Sequence, residues 1–405
     1  MTKSTHTWQF ASRFRRNASG WRSDLPIKRI KEAVAEIRKV ARTEPIVAAE
    51  GAVKFLEKIS ASLGQVDSSS GAMTTAVNRA IETLVPVIAK AEVDLRTRRK
   101  WLERLWIAID EDEISYSEYI GDFWGDLCAS AEIANEWADR FLHIVHMAWN
   151  DRSGFGYFKG TIIVLASLFA AGRHEELLTL VATARAPLWN YRNGRSKALV
   201  AQGKMEEALR YAQDSEGRNM PSSRIAATCE SILLSMGRID DAYEQYALAA
   251  NIGQTNLATF RAIAKRYPHK SDSDILRDLV VRHPGSEGKW FAAAKDAELF
   301  DMAVELAARS PTDPLTLTRA ARDFATSRPT FAQNCALIAL HWIARGHGYE
   351  ITGADVRAAY DAAGKAAEAG GADQAVIAAK VTELMHSTAS NAAFLRSALS
   401  TTTLR

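Results

Sequence analysis

The stretch Leu234-Ser-Met-Gly-Arg-Ile-Asp-Asp-Ala-Tyr243 decides the fold of this chain, because the chain contains it more than once. Val200-Ala-Gln-Gly-Lys-Met-Glu-Glu-Ala-Leu209 precedes it, and Phe169-Ala-Ala-Gly-Arg-His-Glu-Glu-Leu-Leu178 comes earlier still. Gly172, Gly203 and Gly237 stand 31 and 34 residues apart. Each copy reads as a junction between two helices. Glycine ends the first helix where a left-handed residue is needed. The acid pair falls in the first turn of the second helix, where carboxylates suit the helix dipole. Five positions after the glycine stands Ala208 or Ala242 (Leu177 in the first copy), a small residue that lets two helices approach closely. A fainter copy, Ala297-Glu-Leu-Phe-Asp-Met-Ala-Val304, aligns Glu298 with the glycines and Ala303 with the alanines, 61 residues after Gly237. Residues 255–282 hold two helical stretches that fill the gap. Pro187, Pro221, Pro284 and Pro311 each follow the second helix of a pair and stop it.

Outward from this centre the helical period persists. Residues 25–42 place Ile27, Ile30, Val34 and Ile37 on one stripe, with Lys and Arg opposite. Further helices are predicted from Pro45, from Ala72 to Lys90, from Asp94 to Asp110 and over 131–149. Pro86 should kink or split the second of these. The run Arg96-Thr-Arg-Arg-Lys100 is expected to face outward, and Asp110-Glu-Asp-Glu113 to be a solvated helix end. Asp67-Ser-Ser-Ser-Gly71 reads as a turn and cap. Ser115-Tyr-Ser-Glu118 has capping-box spacing, so a short helix should begin there. Later helices are expected over 330–344, from Thr352-Gly-Ala-Asp355 to about Ala369, and over 373–386. Short connections make consecutive helices antiparallel neighbours.

Composition agrees with an all-helical chain. Of 405 residues, 69 are alanine, 47% are hydrophobic and only 10 are proline, which excludes disorder and collagen. Cys128, Cys229 and Cys335 are too few and too dispersed for a disulfide framework, so a cytoplasmic setting is expected. The longest apolar run, Thr161 to Ala171, is too short to span a bilayer. The net charge of +3 conceals an uneven distribution, for residues 1–42 carry 11 Lys or Arg against 3 Asp or Glu. Residues 1–23 contain no acid, which suits either a transit peptide or a basic amphipathic first helix with Trp8, Phe10 and Phe14 inward. The second is the simpler expectation.

The glycine-centred copies are where a family enters. Segment 157–325 resembles tetratricopeptide-type repeats, and residues 1–150 more loosely resemble HEAT-type helical hairpins. The resemblance implies a right-handed α-solenoid of about ten hairpins, with a helical cap over 326–388 and a frayed tail over 389–405. Asn150 to Gly156 marks the expected domain boundary. In tetratricopeptide arrays the first helices line a concave groove. By that resemblance Tyr191, Arg192, Arg195, Lys197, Arg224 and Arg261 would face a protein or peptide partner, the cations meeting carboxylates. Lys159 and Lys289 stand at equivalent places. Trp189 should pack between hairpins.

No enzyme constellation competes. His143-Ile-Val-His146 lacks the further ligands zinc needs, and one of the two should face the hairpin partner. No cofactor is called for, and no nucleophile elbow or phosphate loop is present. The expected function is therefore a scaffold or adaptor holding a protein partner. The competing expectation is nucleic-acid binding through Arg13, Arg15, Arg16, Arg22, Lys28 and Arg29, with Trp8 and Trp21 among the charges. A repair-type variant of it would place Asp110 beside Trp101 and Trp106 in a basic cleft.

Overall fold

The structure, a computed structural model, describes residues 6–16, 18–150, 156–184, 188–215 and 222–400. Among them are twenty-one α-helices, three 3-10 segments and no strand. Contacts divide the chain into two compact units, Met1–Pro221 and Ser222–Arg405.

The first unit contains α1 (Asp24–Val40), α2 (Pro45–Ser62), α3 (Ala72–Ala89), α4 (Leu95–Asp110), α5 (Trp124–Cys128), α6 (Ala131–Asn150), α7 (Thr161–Ala170), α8 (His174–Ala182), α9 (Trp189–Ala201) and α10 (Met205–Gln213). Helices pack on the next and on the next but one: α1 on α2 and α3, α2 on α4, α5 on α6 and α7, α7 on α8 and α9. That near-neighbour order is the packing of a solenoid. The boundary expected near residue 150 does not part the units, because α6 and α7 pack against each other on either side of it. Residues 151–155, Pro187 and Pro221 lie outside the described residues.

A row of ion pairs ties alternate helices together. Glu50 and Glu57 of α2 hold Arg104 of α4. Glu103 of α4 takes Arg140 of α6 at 2.6 Å, and Arg99 of α4 reaches Glu132 and Glu136 of α6 at the same distance. Arg173 then joins Asp139 of α6 to Glu176 of α8, at 2.6 and 2.7 Å.

Three expectations for this unit are corrected. Arg98 does not face outward: it is buried and donates to the carbonyls of Ile88 and Ala91, each at 2.7 Å, at the end of α3. The guanidinium thus meets the negative end of a helix dipole. Asp112 is no solvated helix end. Its buried carboxylate accepts the Ser60 hydroxyl and the N–H groups of Ile114, Ser115 and Ser117, and so shapes the chain leading into the 3-10 segment Ser117–Phe123. Pro86 does not split α3, which runs on to Ala89. The proline is on the exposed side of the helix, and its missing N–H costs the ladder one bond.

The second unit contains α11 (Ser222–Ser235), α12 (Ile239–Ala250), α13 (Asn256–Arg266), α14 (Asp272–Val281), α15 (Phe291–Asp296), α16 (Phe300–Arg309), α17 (Pro314–Phe324), α18 (Pro329–Ala344), α19 (Gly353–Ala369), α20 (Gln374–His386) and α21 (Ala392–Ser400). Here too the order is near-neighbour, with α13 on α14 and α15, and α17 on α18 and α19. Thr352 and Asp355 form the capping box that starts α19. Of the tail expected to fray over 389–405, residues 401–405 lie outside the described residues, and Ala392–Ser400 instead forms α21. Leu395 is fully buried there, α21 packs on α19, and the Asn391 N–H reaches the Ala344 carbonyl at 2.8 Å.

The repeated junctions share one geometry. Gly172, Gly203 and Gly237 have φ of +75°, +77° and +75°, and Glu298 adopts +57° at the aligned position. At each junction the following N–H reaches back to a carbonyl: Arg173 to Leu168, Lys204 to Leu199, Arg238 to Leu233 and Leu299 to Ala294, all at 2.9 Å. This is the Schellman bond that closes a helix on a left-handed residue. Leu177, Ala208, Ala242 and Ala303 are all fully buried, as close helix approach requires. The cation after the glycine also has a local role, since Arg238 pairs with Asp241 at 2.6 Å as Arg173 does with Glu176. Cys128, Cys229 and Cys335 are free thiols buried in the packing.

A methyl group at Gly203 or Gly237 meets no atom within 4 Å, so substitution tests the backbone conformation alone. Gly203→Ala and Gly237→Ala should each lower unfolding free energy by about 1–2 kcal/mol in urea titration. Glu298→Gly should lose nothing. Equal stability of all three variants would show that the left-handed turn costs an alanine nothing. A second expectation concerns acid. Hydrogen bonds from Arg140 and Arg99 hold Glu103 and Glu136 below the ordinary glutamate value of 4.5. Carboxylates depressed in this way stabilise the fold fully above pH 4.5 and lose that contribution as pH falls through their lowered values. Arg140→Met should therefore reduce the loss of melting temperature between pH 5 and pH 3; an unchanged acid profile would count against the ion-pair row.

Candidate anion-binding surface

The chain before α1 is a strap laid over α2. Trp8 is seated above Gly51 so closely that a methyl group there would come within 2.1 Å of the indole, which is why glycine stands at that place in a helix. Phe10 and Phe14 meet Phe55 edge-on, with ring centres 5.4 and 4.9 Å away. The expected amphipathic first helix is only a 3-10 turn, Gln9–Ser12, although its three aromatic residues are buried as expected. Glu36 of α1 caps the turn by accepting the N–H groups of Gln9 and Phe10 at 2.8 and 3.3 Å. Farther along, Ser19 is buried, and the Trp21 carbonyl accepts the Asp67 N–H at 2.9 Å.

These contacts engage two of the three acids of the segment; the third, Asp24, is exposed in the first turn of α1. Glu36 serves the turn and Glu32 takes Arg13 at 2.7 Å, so Arg13 is already paired. Apart from that pair and a His6–Glu36 contact of 3.9 Å, residues 6–42 form no ion pair among the described residues. Arg15, Arg16, Arg22 and Lys28 are exposed, and Arg29 is half-buried. On α1, Ile30, Ala33 and Ile37 face inward, while Lys28, Lys31 and Arg38 form an exposed row at three- and seven-residue steps. Arg42 continues it beyond the helix end. From Lys28 to Arg42 this row is roughly 21 Å long at a helical rise. Trp21, which precedes α1 in the chain, has 72% of its surface exposed.

The positions expected to line a groove fare differently. Tyr191 is corrected: it is buried against Trp149, ring centres 5.3 Å apart, and burial pushes its hydroxyl pKa up. Arg192 and Arg195 both lie over the Tyr211 ring, at 6.0 and 4.6 Å, and Arg192 also donates to the Ser215 hydroxyl. Lys197 is exposed on α9 and Arg224 at the start of α11. Arg261 is held by Asp296, whose two carboxylate oxygens accept its Nε and Nη2 along one guanidinium edge. Tyr191 to Lys197 belong to the first unit, Arg224 and Arg261 to the second. Lys159 is spent on the carbonyls of Asp110 and Asp112, whereas Lys289 is exposed. Trp189 is buried, as packing between hairpins requires.

The other chemical candidates do not assemble. Trp101 and Trp106 are core residues while Asp110 is exposed, so they make no acid-bearing cleft. His143 and His146 are both exposed, which corrects the expectation that one faces a partner helix. Among the described residues no three His, Cys, Asp or Glu side chains gather as metal ligands. None of their helices is long and apolar enough to cross a membrane. In the second unit, buried Glu230 accepts Tyr267 at 2.7 Å and Asn251 at 2.8 Å, a polar lock between α11 and α13 that the sequence does not advertise. The distinction between Trp8 and Trp21 also escapes simple charge counting. Its sequence signal is the pair of phenylalanines two and six residues after Trp8, which Trp21 lacks. No family model, curated protein or solved structure matches this chain.

Proposed function

We propose that the chain is a non-enzymatic helical-repeat adaptor that holds an anionic partner on the basic surface of residues 15–42. The observation that carries this reading is the set of exposed cations there, Arg15, Arg16, Arg22, Lys28, Lys31 and Arg38, that form no described ion pair, in a unit whose Arg99, Arg104, Arg140 and Arg173 are all paired. Unpaired charge on one surface costs self-repulsion and is relieved by a partner of opposite sign. Stacked hairpins supply a long scaffold for such a surface. Of the two surfaces singled out by sequence, the groove set is the weaker, because Tyr191 is buried and Arg261 is neutralised. The dispersed thiols favour the cytoplasm as its setting.

Retention on heparin, a generic polyanion, tests the choice of surface. Arg15→Glu combined with Arg16→Glu should elute at markedly lower salt than the parent protein. Its binding constant should show a salt slope smaller by about 1 for each contact removed. Arg192→Glu combined with Arg195→Glu should elute with the parent. The opposite order would return the partner surface to α9.

A further inference from the structure

We infer that Trp21 is a stacking platform for an unpaired nucleobase, and that the ligand of the basic surface is single-stranded nucleic acid. The inference rests on the anionic-partner function proposed above and names its chemistry. Of the ten tryptophans in the chain, nine are buried to 7% exposure or less, and Trp21 alone is open at 72%. An indole left in water forgoes the burial that aromatic rings normally gain, and it offers a flat π-face to a planar partner. The backbone beneath it is tied to its surroundings. The Trp21 carbonyl is bonded to Asp67, Ser19 is buried two residues before, and Phe14 is anchored on Phe55. A ring presented from a backbone held in this way loses little conformational freedom on binding.

The cations supply the second half of the site. Arg22 is the next residue after Trp21, Arg15 and Arg16 precede it on the same strap, and beyond the exposed Asp24 the Lys28–Lys31–Arg38 row follows on α1. Base stacking on an aromatic residue within a positively charged track is how single strands are held without sequence preference. A duplex presents the same phosphates but keeps its base faces closed. An acidic polypeptide would satisfy the cations and leave the indole face unused. A lipid surface fits less well, because an interfacial helix needs its apolar face free and α1 buries Ile30, Ala33 and Ile37. Within residues 6–42 the exposed large apolar side chains are Trp21 and Leu25 alone.

The test is fluorescence anisotropy of the full chain with labelled oligothymidylate about 16 nucleotides long. A duplex of equal length, polyglutamate and phosphatidylserine vesicles serve as competitors. Trp21→Ala should weaken single-strand binding about 5- to 150-fold while leaving duplex binding unchanged. Trp21→Phe should recover most of the loss, and Arg15→Glu with Arg16→Glu should weaken both nucleic acids. Because the indole is exposed, the melting curve of Trp21→Ala should overlay that of the parent; a lowered melting point would assign Trp21 to the fold and overturn the inference. Single-strand binding unaffected by Trp21→Ala would overturn the stacking role and leave the anionic surface standing. Stronger competition by polyglutamate or by vesicles than by unlabelled oligonucleotide would overturn the ligand class. Failure of every polyanion to bind at low salt would remove the proposed function itself.

Discussion

One backbone hydrogen bond sets the pattern of the repeats. An N–H just past a left-handed residue reaches back to the carbonyl five residues earlier, and the same bond recurs at Gly172, Gly203, Gly237 and Glu298. It also closes α18 at Gly346 and α19 at Gly371. Its geometry turns the chain sharply, so the next helix must lie back along the one before it. Helix length, the buried small residue and the acid pair are useful only once that turn is made. Glu298 shows that the turn outranks the residue: the chain takes a left-handed conformation there at the expense of an ordinary side chain's preference.

What the turn does not decide is which hairpin faces which, and side-chain contacts settle that. In the first unit the settling contacts are charged and lie near the surface, from Glu50 to Arg173. In the second they are partly buried, as with Glu230, Tyr267 and Asn251, and Tyr243 with Asp278. Surface pairs contribute little each. Their spacing nevertheless rewards one alignment of α2, α4, α6 and α8 over a shift by one turn.

This division explains what was legible in the sequence. Turns and helix borders depend on residues a few positions apart, so the glycine junctions, the fill of residues 255–282 and the Thr352 cap stood in plain view. Arg98 is buried on a carbonyl 7 residues away, Glu230 on a tyrosine 37 away, and Asp112, besides its local turn, on a serine 52 away, partners that their sequence neighbours do not announce. The groove assignment suffered from the same limit. The face of α9 that holds Tyr191 is set by Trp149 of α6, a residue that repeat spacing does not reach. The basic surface was visible as a charge count, but its exposed indole depended on which tryptophan found an aromatic pocket.

The strap over α2 has one more consequence. A stack of hairpins ends in a helix pair with no further neighbour, and such ends need covering to remain soluble. Here the cover is Trp8, Phe10 and Phe14, laid on α2 and followed by a cluster of positive charge. Two copies meeting at this end would bring like charges together over an apolar seat that is already filled. The apolar seat on α2 is thus filled from within the chain, and what the strap leaves outside is its positive charge.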